Sequence, residues 1–588
     1  MTSKAANAQA NVQAPVKQAN LFGVLAPYKA LVALLIGLAL LSNGLNLILP
    51  QLIRQGIDAF GAGAFDMKLI VIEFAAASIA IFVFTYLQSI VQTYASERVA
   101  RDMRERLAGK ISEQTYEFVQ AAGAGKLLTN LTSDIDAVKM FVSMGIVSLC
   151  SSFIIIVGAS VLLFRIDWKL TLAVLAIVPL IAVTFFIVMS KMRPLFKRTQ
   201  EVIDWLNKVI NESIMGSGLI RVLNSQMPEY DKFVEANTNA KDLGLQILRM
   251  FAVLIPVISF VANLAVLVIL LLGGRFVIEG AMTLGDFAAF MSYLSLLIFP
   301  IIVIGFMSNV ISRAQASYQR VAETTEAAAP PRGGAIDREL RGDIAVEGLT
   351  VTYGEKSALK NVSLSIHAKT RTAIIGPTAA GKTQLLYALT GLLTPQSGAI
   401  LFDGIGLDEY DPSSLRRQAV LVFQDSVMFN MTLRDNIAFG GEIKNDDFDR
   451  AVKTAELADL VAALPEGFDT LVSERGTSLS GGQKQRIMLA RALALNPKIL
   501  FLDEFTARVD AATERKILQN IRANYPDLTL VSVTQTIAPV MDYDTIALIM
   551  EGEILAQGTH KELMESSPEY VQIFESQKST SHYETAEQ

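Results

Sequence analysis

The sequence predicts an α-helical membrane domain of six spans followed by an α/β domain of the P-loop type. Of its 588 residues, 52% are hydrophobic and 18% are charged, and the mean hydropathy is +0.40. A soluble protein carries roughly 25% charged residues, so much of this chain is expected to lie in lipid. The hydropathy falls after residue 311, and a phosphate-binding loop pattern follows at Gly376.

Composition also excludes several classes of protein. The single cysteine, Cys150, rules out an intrachain disulfide, and the net charge of −6 argues against a nucleic-acid partner. The histidines His367, His560 and His582 have no His or Cys neighbour at metal-ligand spacing. Residues 1–20 lack the charged start, apolar core and cleavage site of a signal peptide. We expect them to form a disordered cytoplasmic tail.

Six apolar runs are long enough to cross about 30 Å of hydrocarbon. They cover residues 30–53, 69–91, 140–164, 170–189, 250–273 and 285–311. The second–third and fourth–fifth connections are long and rich in Lys and Arg, so the positive-inside rule places both of them, and both termini, in the cytoplasm. Helical apolar spacing continues over 92–120 and 192–214. The spans are therefore expected to extend beyond the bilayer as cytoplasmic helices.

The change in composition predicts the domain boundaries. A stretch rich in Pro, Gly and Ala over 323–334 is typical of a linker, and short β-rich runs alternating with amphipathic helices begin near residue 343. The predicted order is a tail at 1–20, a transmembrane domain at 21–320, a linker at 321–342, an α/β domain at 343–576 and a polar, frayed C-terminal tail at 577–588.

A buried strand at 372–375 is predicted to run into a phosphate-binding loop. The loop matches G-x-x-x-x-G-K-[ST], and a helix follows it. Backbone N–H groups of such a loop cradle phosphates, Lys382 reaches the β- and γ-phosphates, and the Thr383 hydroxyl binds Mg²⁺. The predicted nucleotide-binding residues are Gly376, Pro377, Thr378, Ala379, Ala380, Gly381, Lys382, Thr383 and Gln384.

A second apolar run, Ile499 to Leu502, ends in two carboxylates, Asp503 and Glu504. This pattern places both acids at the carboxyl end of a parallel strand, where ligands bind in such sheets. Asp503 is expected to hold Mg²⁺, directly or through water. Glu504 is expected to orient or deprotonate an attacking water molecule.

A third pattern, Leu479-Ser480-Gly481-Gly482-Gln483, resembles the signature motif of ATP-binding-cassette (ABC) proteins. With the phosphate loop and the six spans, it makes residues 21–576 similar to ABC exporter half-transporters of the multidrug type. The resemblance implies an ATP hydrolase coupled to transport, with ATP and Mg²⁺ as cofactors, in the cytoplasmic (inner) membrane.

The same resemblance implies roles for further residues. Tyr353 would stack on adenine, Gln424 would contact Mg²⁺ and the attacking water, and Asp510 falls at the D-loop aspartate. The signature motif of one chain would contact ATP bound by another, so this chain would be half of a dimer. Segments 125–136 and 220–230 resemble the loop tips that dock on the cassettes.

Two residues depart from the family pattern. Ala379 stands where a glycine is usual, and an alanine costs little there unless the position needs a positive φ. Gln535 stands where a catalytic histidine is usual; it keeps an N–H donor but cannot relay a proton. The Thr534-Gln535 pair resembles the weak-site subunit of heterodimeric exporters, although such subunits often lack the glutamate that Glu504 retains. A heterodimer is favoured, and a homodimer is the alternative.

Polar and bulky residues within the spans are candidates for a substrate cavity. Interhelical hydrogen bonds are the alternative explanation for the asparagines, and simple packing is the alternative for Met and Phe. The candidates are Asn43, Asn46, Asn263, Met291, Phe299 and Phe306.

The predicted function is ATP-driven export of amphipathic drugs, lipids or peptides by alternating access. Its partners would be a second half-transporter, membrane lipid and a small amphipathic substrate. Two alternatives stay open. One is a siderophore importer built on the exporter fold, and the other is a regulatory ATP-binding subunit with little turnover, which Gln535 and Ala379 motivate.

Overall fold

The computed structural model describes residues 20–63, 66–330, 333–353, 356–439, 441–473, 476 and 478–586. Nearly all of the predicted N-terminal tail, and Pro331 and Arg332 of the predicted linker, lie outside these residues. The chain divides into two units. One contains 20–113 and 123–328, and the other contains 114–122 together with 329 onwards.

Long helices form the first unit. A 3-10 helix, Leu21–Tyr28, precedes them, and π-helical turns lie within α4 and α8. In chain order, with the short α3 of the other unit, the helices are α1 (Lys29–Gly61), α2 (Met67–Glu113), α3 (Tyr116–Ala122), α4 (Ala124–Ile166), α5 (Trp168–Leu175), α6 (Ile177–Met215), α7 (Ser217–Val222), α8 (Gln226–Ile278) and α9 (Leu284–Thr325).

Five helices within the described residues are long and apolar enough to cross a membrane. They are Leu21–Gly61, α2, α4, α8 and α9. The predicted fourth span, 170–189, is divided between α5 and α6 and is not among the five, so the count of six stays a prediction. Helices α2 and α6 continue to Glu113 and Met215, which confirms that the cytoplasmic connections are helical.

The core of this unit lies where α1, α4 and α9 pack together. Leu47, Ala159, Leu163 and Leu297 are buried there, and the Tyr293 hydroxyl donates to the Leu47 carbonyl at 2.8 Å. A buried tyrosine hydroxyl needs such a partner, because an unpaired one would lose its hydrogen bond to water.

Two residues of segment 125–136, which resembles a cassette-docking tip, contact α9, and the docking itself stays a prediction. Asp134 is paired with Arg320 of α9, and the Asn130 side-chain amide is hydrogen-bonded to Thr324 Oγ1 at 3.0 Å. The segment therefore packs on α9 within the helical unit. The preceding helix, α3, belongs instead to the α/β unit.

In the described part of the second unit, the strands form three sheets. Its strands are β1 (Ile344–Tyr353), β2 (Lys356–Ile366), β3 (Arg371–Ile375), β4 (Ser397–Phe402), β5 (Ile405–Gly406), β6 (Ala419–Val422), β7 (Met431–Thr432), β8 (Leu471–Val472), β9 (Ile499–Asp503), β10 (Thr529–Thr534), β11 (Thr545–Met550) and β12 (Glu553–Gly558). The sheet orders are β12-β11-β3-β10-β9-β6, β2-β1-β4-β5 and β7-β8. Strands β9 and β10 are wholly buried, as expected for parallel strands covered on both faces.

Helices cover the sheets of this unit. They are α10 (Lys382–Leu389), α11 (Pro412–Gln418), α12 (Leu433–Ile437), α13 (Asn445–Thr454), α14 (Ala458–Ala463), α15 (Gly481–Ala494), α16 (Ala511–Asn524), α17 (His560–Ser566) and α18 (Pro568–Ala586). The expectation of a frayed tail from residue 577 is wrong, because α18 continues through most of that segment.

Helix α3 packs against this same unit. The Tyr116 ring lies edge-on to the Tyr387 ring of α10, with centroids 5.5 Å apart. The Glu117 carboxylate accepts a hydrogen bond from the Thr394 N–H at 2.6 Å. Tyr387 also contacts Phe423, next to the predicted catalytic Gln424. A segment between two membrane helices is thus in contact with the phosphate-loop helix.

Candidate active site

The predicted catalytic residues meet at one edge of the six-stranded sheet. Strands β3, β10, β9 and β6 are parallel neighbours. Parallel neighbours present their carboxyl ends at the same edge. The phosphate loop follows β3, Gln535 follows β10, Glu504 follows β9 and Gln424 follows β6.

The phosphate loop is held close to the neighbouring backbone. Gly381 has φ +101°, and a Cβ there would lie 2.5 Å from the Ala358 carbonyl oxygen, so only glycine fits. Ala379 has φ +66°. The exception stated for a positive φ therefore applies to Ala379, since an L-residue in this region is disfavoured by about 1 kcal/mol or more. Ala380 is buried in the core next to the loop.

Lys382 is buried, and its charge is held within the loop. Only 4% of its side chain is exposed, and Nζ donates to the carbonyl oxygens of Gly376 at 2.8 Å and Pro377 at 2.9 Å. Burial lowers the pKa of Lys382, and the Glu504 carboxylate, 3.7 Å away, opposes that shift. The ammonium group is therefore positioned to meet a phosphate without moving out of the loop.

Thr383 and Asp503 bring together two oxygen atoms that could act as metal ligands. Thr383 Oγ1 donates to Asp503 Oδ1 at 3.1 Å, whereas the second carboxylate oxygen of Asp503 is buried and has no hydrogen-bond partner among the described residues. Burial raises the pKa of Asp503 to about 6. A carboxylate oxygen and a hydroxyl are hard donors of the kind that Mg²⁺ prefers. The orphaned oxygen fits a cation at this position.

Glu504 is the centre of the hydrogen-bond network. Its Oε2 accepts from Gln424 Nε2 at 2.7 Å, and its Oε1 accepts from Gln535 Nε2 at 2.7 Å. Its backbone has φ +43°, and its N–H donates to the Val533 carbonyl at 3.0 Å. Gln535 also accepts from Thr378 Oγ1 at 3.4 Å. Both oxygens of one carboxylate are thereby oriented by two amide side chains.

The signature residues form a capped helix start. Ser480 is the N-cap of α15: its Oγ accepts from the Gln483 N–H, and Gln483 Oε1 accepts from the Ser480 N–H. Gly481 and Gly482 begin the helix, and a Cβ on Gly482 would lie 2.7 Å from the Arg508 carbonyl oxygen. Leu479 packs on the core. These glycines leave the helix N-terminus open to an anion.

Other predicted residues lie further from this network. Tyr353, 52% exposed, ends β1. Asp510 caps α16 by accepting from the Thr513 N–H at 2.9 Å, and these hydrogen bonds lower the pKa of Asp510. Gln384 lies in the first turn of α10. No hydrogen bond among the described residues joins the signature motif to the phosphate loop.

The membrane candidates fall into two groups. Asn43 Nδ2 donates to the Ala39 carbonyl and to Ser151 Oγ at 2.9 Å, and Asn46 Nδ2 donates to the Ser42 carbonyl at 3.1 Å. Met291 is half-buried against the helical core. The structure therefore favours packing and hydrogen bonding for these three. In contrast, Asn263, Phe299 and Phe306 are exposed.

Several contacting residues carry no sequence pattern. Tyr116, Tyr387 and Gln577 reach the site region through contacts that are distant along the chain. Neither apolar spacing nor a motif marks them. Gln485 of α15 donates from Nε2 to the Gln424 carbonyl at 2.7 Å, and its place just after the signature motif is its one sequence signal.

The fold and the site together define a membrane-embedded ATPase of the P-loop type. Two family models match the chain: "ABC transporter transmembrane region" over residues 32–301 and "ABC transporter" over residues 359–507. The chain belongs to the ABC transporter family.

Known proteins resemble it over nearly its whole length. The uncharacterized ABC transporter ATP-binding protein YfiB of Bacillus subtilis (strain 168) is 31% identical over 94% of this chain and 97% of its own length. An ATP-dependent lipid A-core flippase of Syntrophus aciditrophicus (strain SB) is 29% identical, over 84% of this chain and 83% of its own. The solved structure of a bacterial Atm1-family ABC exporter with ATP bound shares the fold, with a TM-score of 0.78, 24% identity and coverage of 93% and 98%.

The family membership confirms several predictions. This is a multi-pass membrane protein of the ABC transporter family that has the fold of an ABC exporter, with an ATP-hydrolysing domain on the cytoplasmic side. Half-transporters of this kind function as dimers.

Proposed function

We propose that this chain is one half of a dimeric exporter that uses its own ATP site to move amphipathic molecules across the membrane. The observation that carries the proposal is the Glu504 carboxylate, which accepts 2.7 Å hydrogen bonds from both Gln424 and Gln535. A carboxylate oriented on both oxygens is arranged to position and deprotonate an attacking water.

The remaining groups of the site have complementary roles. Lys382 would stabilise negative charge on the β- and γ-phosphates, and backbone N–H groups from Thr378 onwards would surround them. Mg²⁺, held by Thr383, Asp503 and Gln424, would offset the charge on the phosphate oxygens when bound. Tyr353, exposed at the end of β1, is free to stack on adenine.

Two surfaces support assembly with a second chain. The signature helix start is capped internally and makes no hydrogen bond with the described phosphate loop of its own chain, so it is available to another ATP site. Helix α7, at the tip of the second cytoplasmic connection, exposes 64% of Leu219 and 83% of Val222. An apolar tip of this kind indicates a partner surface.

Exposed aromatic side chains support an amphipathic substrate. Phe299 and Phe306 of α9 and Asn263 of α8 lie on the surface of this single chain. In a dimer they would line a cavity if they face the partner; the alternative is lipid contact. Mobile aromatic side chains with an occasional polar group suit varied apolar substrates. A flippase among the relatives is consistent with a lipid-like substrate.

The test is a Glu504→Gln variant in vesicles of phosphatidylethanolamine and phosphatidylglycerol. We expect ATP hydrolysis and ATP-dependent uptake of a fluorescent lipophilic cation to fall about 100-fold or more, because the general base is lost. Glu553→Gln, at an exposed position in β12, is the matched control and should leave both rates unchanged. Equal activity of both variants would contradict the proposal.

Gln535 favours a second candidate, in which this chain is the weak-site subunit of a heterodimer. A glutamine orients Glu504 but cannot relay a proton. Gln535→His should then raise hydrolysis by about 10-fold or more. If the unmodified chain alone hydrolyses ATP, and Gln535→His leaves that rate unchanged, a self-sufficient homodimer is favoured instead.

A further inference from the structure

The C-terminal helix α18 reaches the loop that carries Gln535. Gln577 Oε1 accepts from the Ile537 N–H at 2.9 Å, and Gln577 Nε2 donates to the Gln535 carbonyl at 2.7 Å. One side-chain amide thus binds both a backbone donor and a backbone acceptor of the segment 535–537. These residues lie 40 and 42 positions apart along the chain.

The segment needs such a partner because it has just left the sheet. Strand β10 ends at Thr534, and the backbone groups beyond it have lost their ladder partners. The Thr536 N–H donates to Thr534 Oγ1 at 3.1 Å. Gln577 satisfies the N–H of Ile537 and the C=O of Gln535, the two groups that flank this local turn.

Helix α18 is anchored firmly enough to impose this geometry. Tyr570 is fully buried, and its hydroxyl is 2.7 Å from His560 Nδ1. Ile573 and Phe574 pack against the core of the α/β unit. Gln577 follows them by one helical turn, so it shares their face of the helix. Its amide is therefore carried by a packed element rather than by a free tail.

The contact of Gln577 is linked to the Glu504 carboxylate through a single residue, Gln535. Gln577 holds the backbone of Gln535, whose Nε2 is 2.7 Å from Glu504 Oε1. A shift of that backbone would move the amide donor away from the carboxylate. Misplacement of a catalytic group by about 1 Å can cost up to about 100-fold in rate.

We propose that Gln577 is a positioning residue for ATP hydrolysis, and that it acts by fixing the backbone of Gln535. The C-terminal helix is thereby part of the catalytic apparatus. This inference rests on the proposed hydrolytic role of the site around Glu504.

Gln577→Met, which keeps the length of the side chain and removes both hydrogen bonds, tests the proposal in the full chain. We expect kcat for ATP hydrolysis to fall about 10-fold with KM for ATP within about twofold, because phosphate binding does not involve this contact. Gln572→Met, at an exposed position of the same helix, is the matched control. An unchanged kcat, or a rise in KM alone, would overturn the proposal.

A double-mutant cycle separates positioning from general stability. In a Gln535→Ala background, Gln577→Met should change kcat by less than about twofold, since the side chain that it positions is gone. An equal loss in both backgrounds would show that Gln577 acts on something else.

Hydrogen exchange gives a measurement that does not depend on turnover. The Ile537 amide should exchange faster in Gln577→Met than in Gln572→Met, and equal exchange would overturn the positioning role. If the unmodified chain does not hydrolyse ATP, the proposed function fails, whereas the exchange comparison still decides whether Gln577 holds this loop.

Discussion

The phosphate loop and the signature motif of this chain differ in burial, charge and internal partners. At the phosphate loop, the charges of Lys382 and Asp503 are buried and held by neighbouring groups of the same chain. At the signature motif, Ser480 and Gln483 are uncharged, and their side chains cap the start of their own helix.

The difference indicates that the two surfaces do different work. A buried lysine beside two carboxylates would provide charge and chemistry for a nucleotide bound by this chain. An open helix N-terminus with two glycines provides backbone N–H groups and a close approach, and it needs a phosphate from elsewhere. Substitutions at the two surfaces should therefore separate nucleotide binding from hydrolysis.

The largest expected difference lies between Lys382→Ala and Ser480→Arg. Lys382→Ala should weaken binding of a fluorescent ATP analogue to the detergent-solubilised chain by about 100-fold, because a buried charge partner of the phosphates is lost. Ser480→Arg should leave that binding within about twofold and lower hydrolysis by about 100-fold, because it blocks only the surface offered to another chain.

A matched control for the signature surface is Ser365→Arg, at an exposed position of β2, which should change neither binding nor hydrolysis. If Ser480→Arg weakens ATP-analogue binding as much as Lys382→Ala does, the two surfaces belong to one intrachain site. That result would remove the reason to assign them to different chains.

The protonation of Asp503 should have a smaller effect on hydrolysis than the substitutions above. This effect concerns only the phosphate-loop surface. Burial raises the pKa of Asp503 to about 6, whereas the pKa of an aspartate in an unfolded chain is about 3.9. The folded chain without Mg²⁺ therefore binds this proton more tightly than the unfolded chain. The contribution of Asp503 to stability is thus greatest at low pH and falls as the pH rises from about 4 to 6.

The same proton competes with Mg²⁺. The Mg²⁺ concentration that gives half-maximal hydrolysis should rise about fivefold from pH 6 to pH 5 and change little between pH 7 and pH 8, because the metal binds the ionised carboxylate. The residual activity of Ser480→Arg should show the same profile. A Mg²⁺ requirement independent of pH, or one shifted by Ser480→Arg, would contradict this separation.

The site was predictable from the sequence where its residues are local or follow strands. The phosphate loop is a continuous motif, and Asp503 and Glu504 follow a short apolar run that is typical of a buried strand. The meeting of Gln424, Glu504 and Gln535 follows from strand order, because β6, β9 and β10 are parallel neighbours. The resemblance to ABC proteins indicated roles for Gln424 and Gln535, whereas the strand order is known only from the structure.

Contacts between distant segments were not predictable in this way. The polar stretch from residue 577 suggested a frayed tail, yet Gln577 lies on a packed helix, and nothing in its sequence marks its partners Gln535 and Ile537. Similarly, nothing in the sequence marks the pairing of Asp134 with Arg320 of α9, or the contact of Tyr116 with Tyr387 of α10. Pairings of this kind depend on tertiary geometry, which periodicity does not encode.

The smallest expected effect concerns the backbone of the phosphate loop. Ala379 has φ +66°, a region where glycine is unstrained, so Ala379→Gly should stabilise the nucleotide-free chain by up to about 1 kcal/mol despite the greater freedom of the unfolded chain. Ala512→Gly, at an exposed position in α16, is the matched control and should destabilise by about 1 kcal/mol. Thermal unfolding of the solubilised chain measures both. Destabilisation of both variants by the same amount would mean that Ala379 adopts an unstrained backbone conformation in the nucleotide-free chain. The phosphate loop would then be less rigid than its contacts indicate.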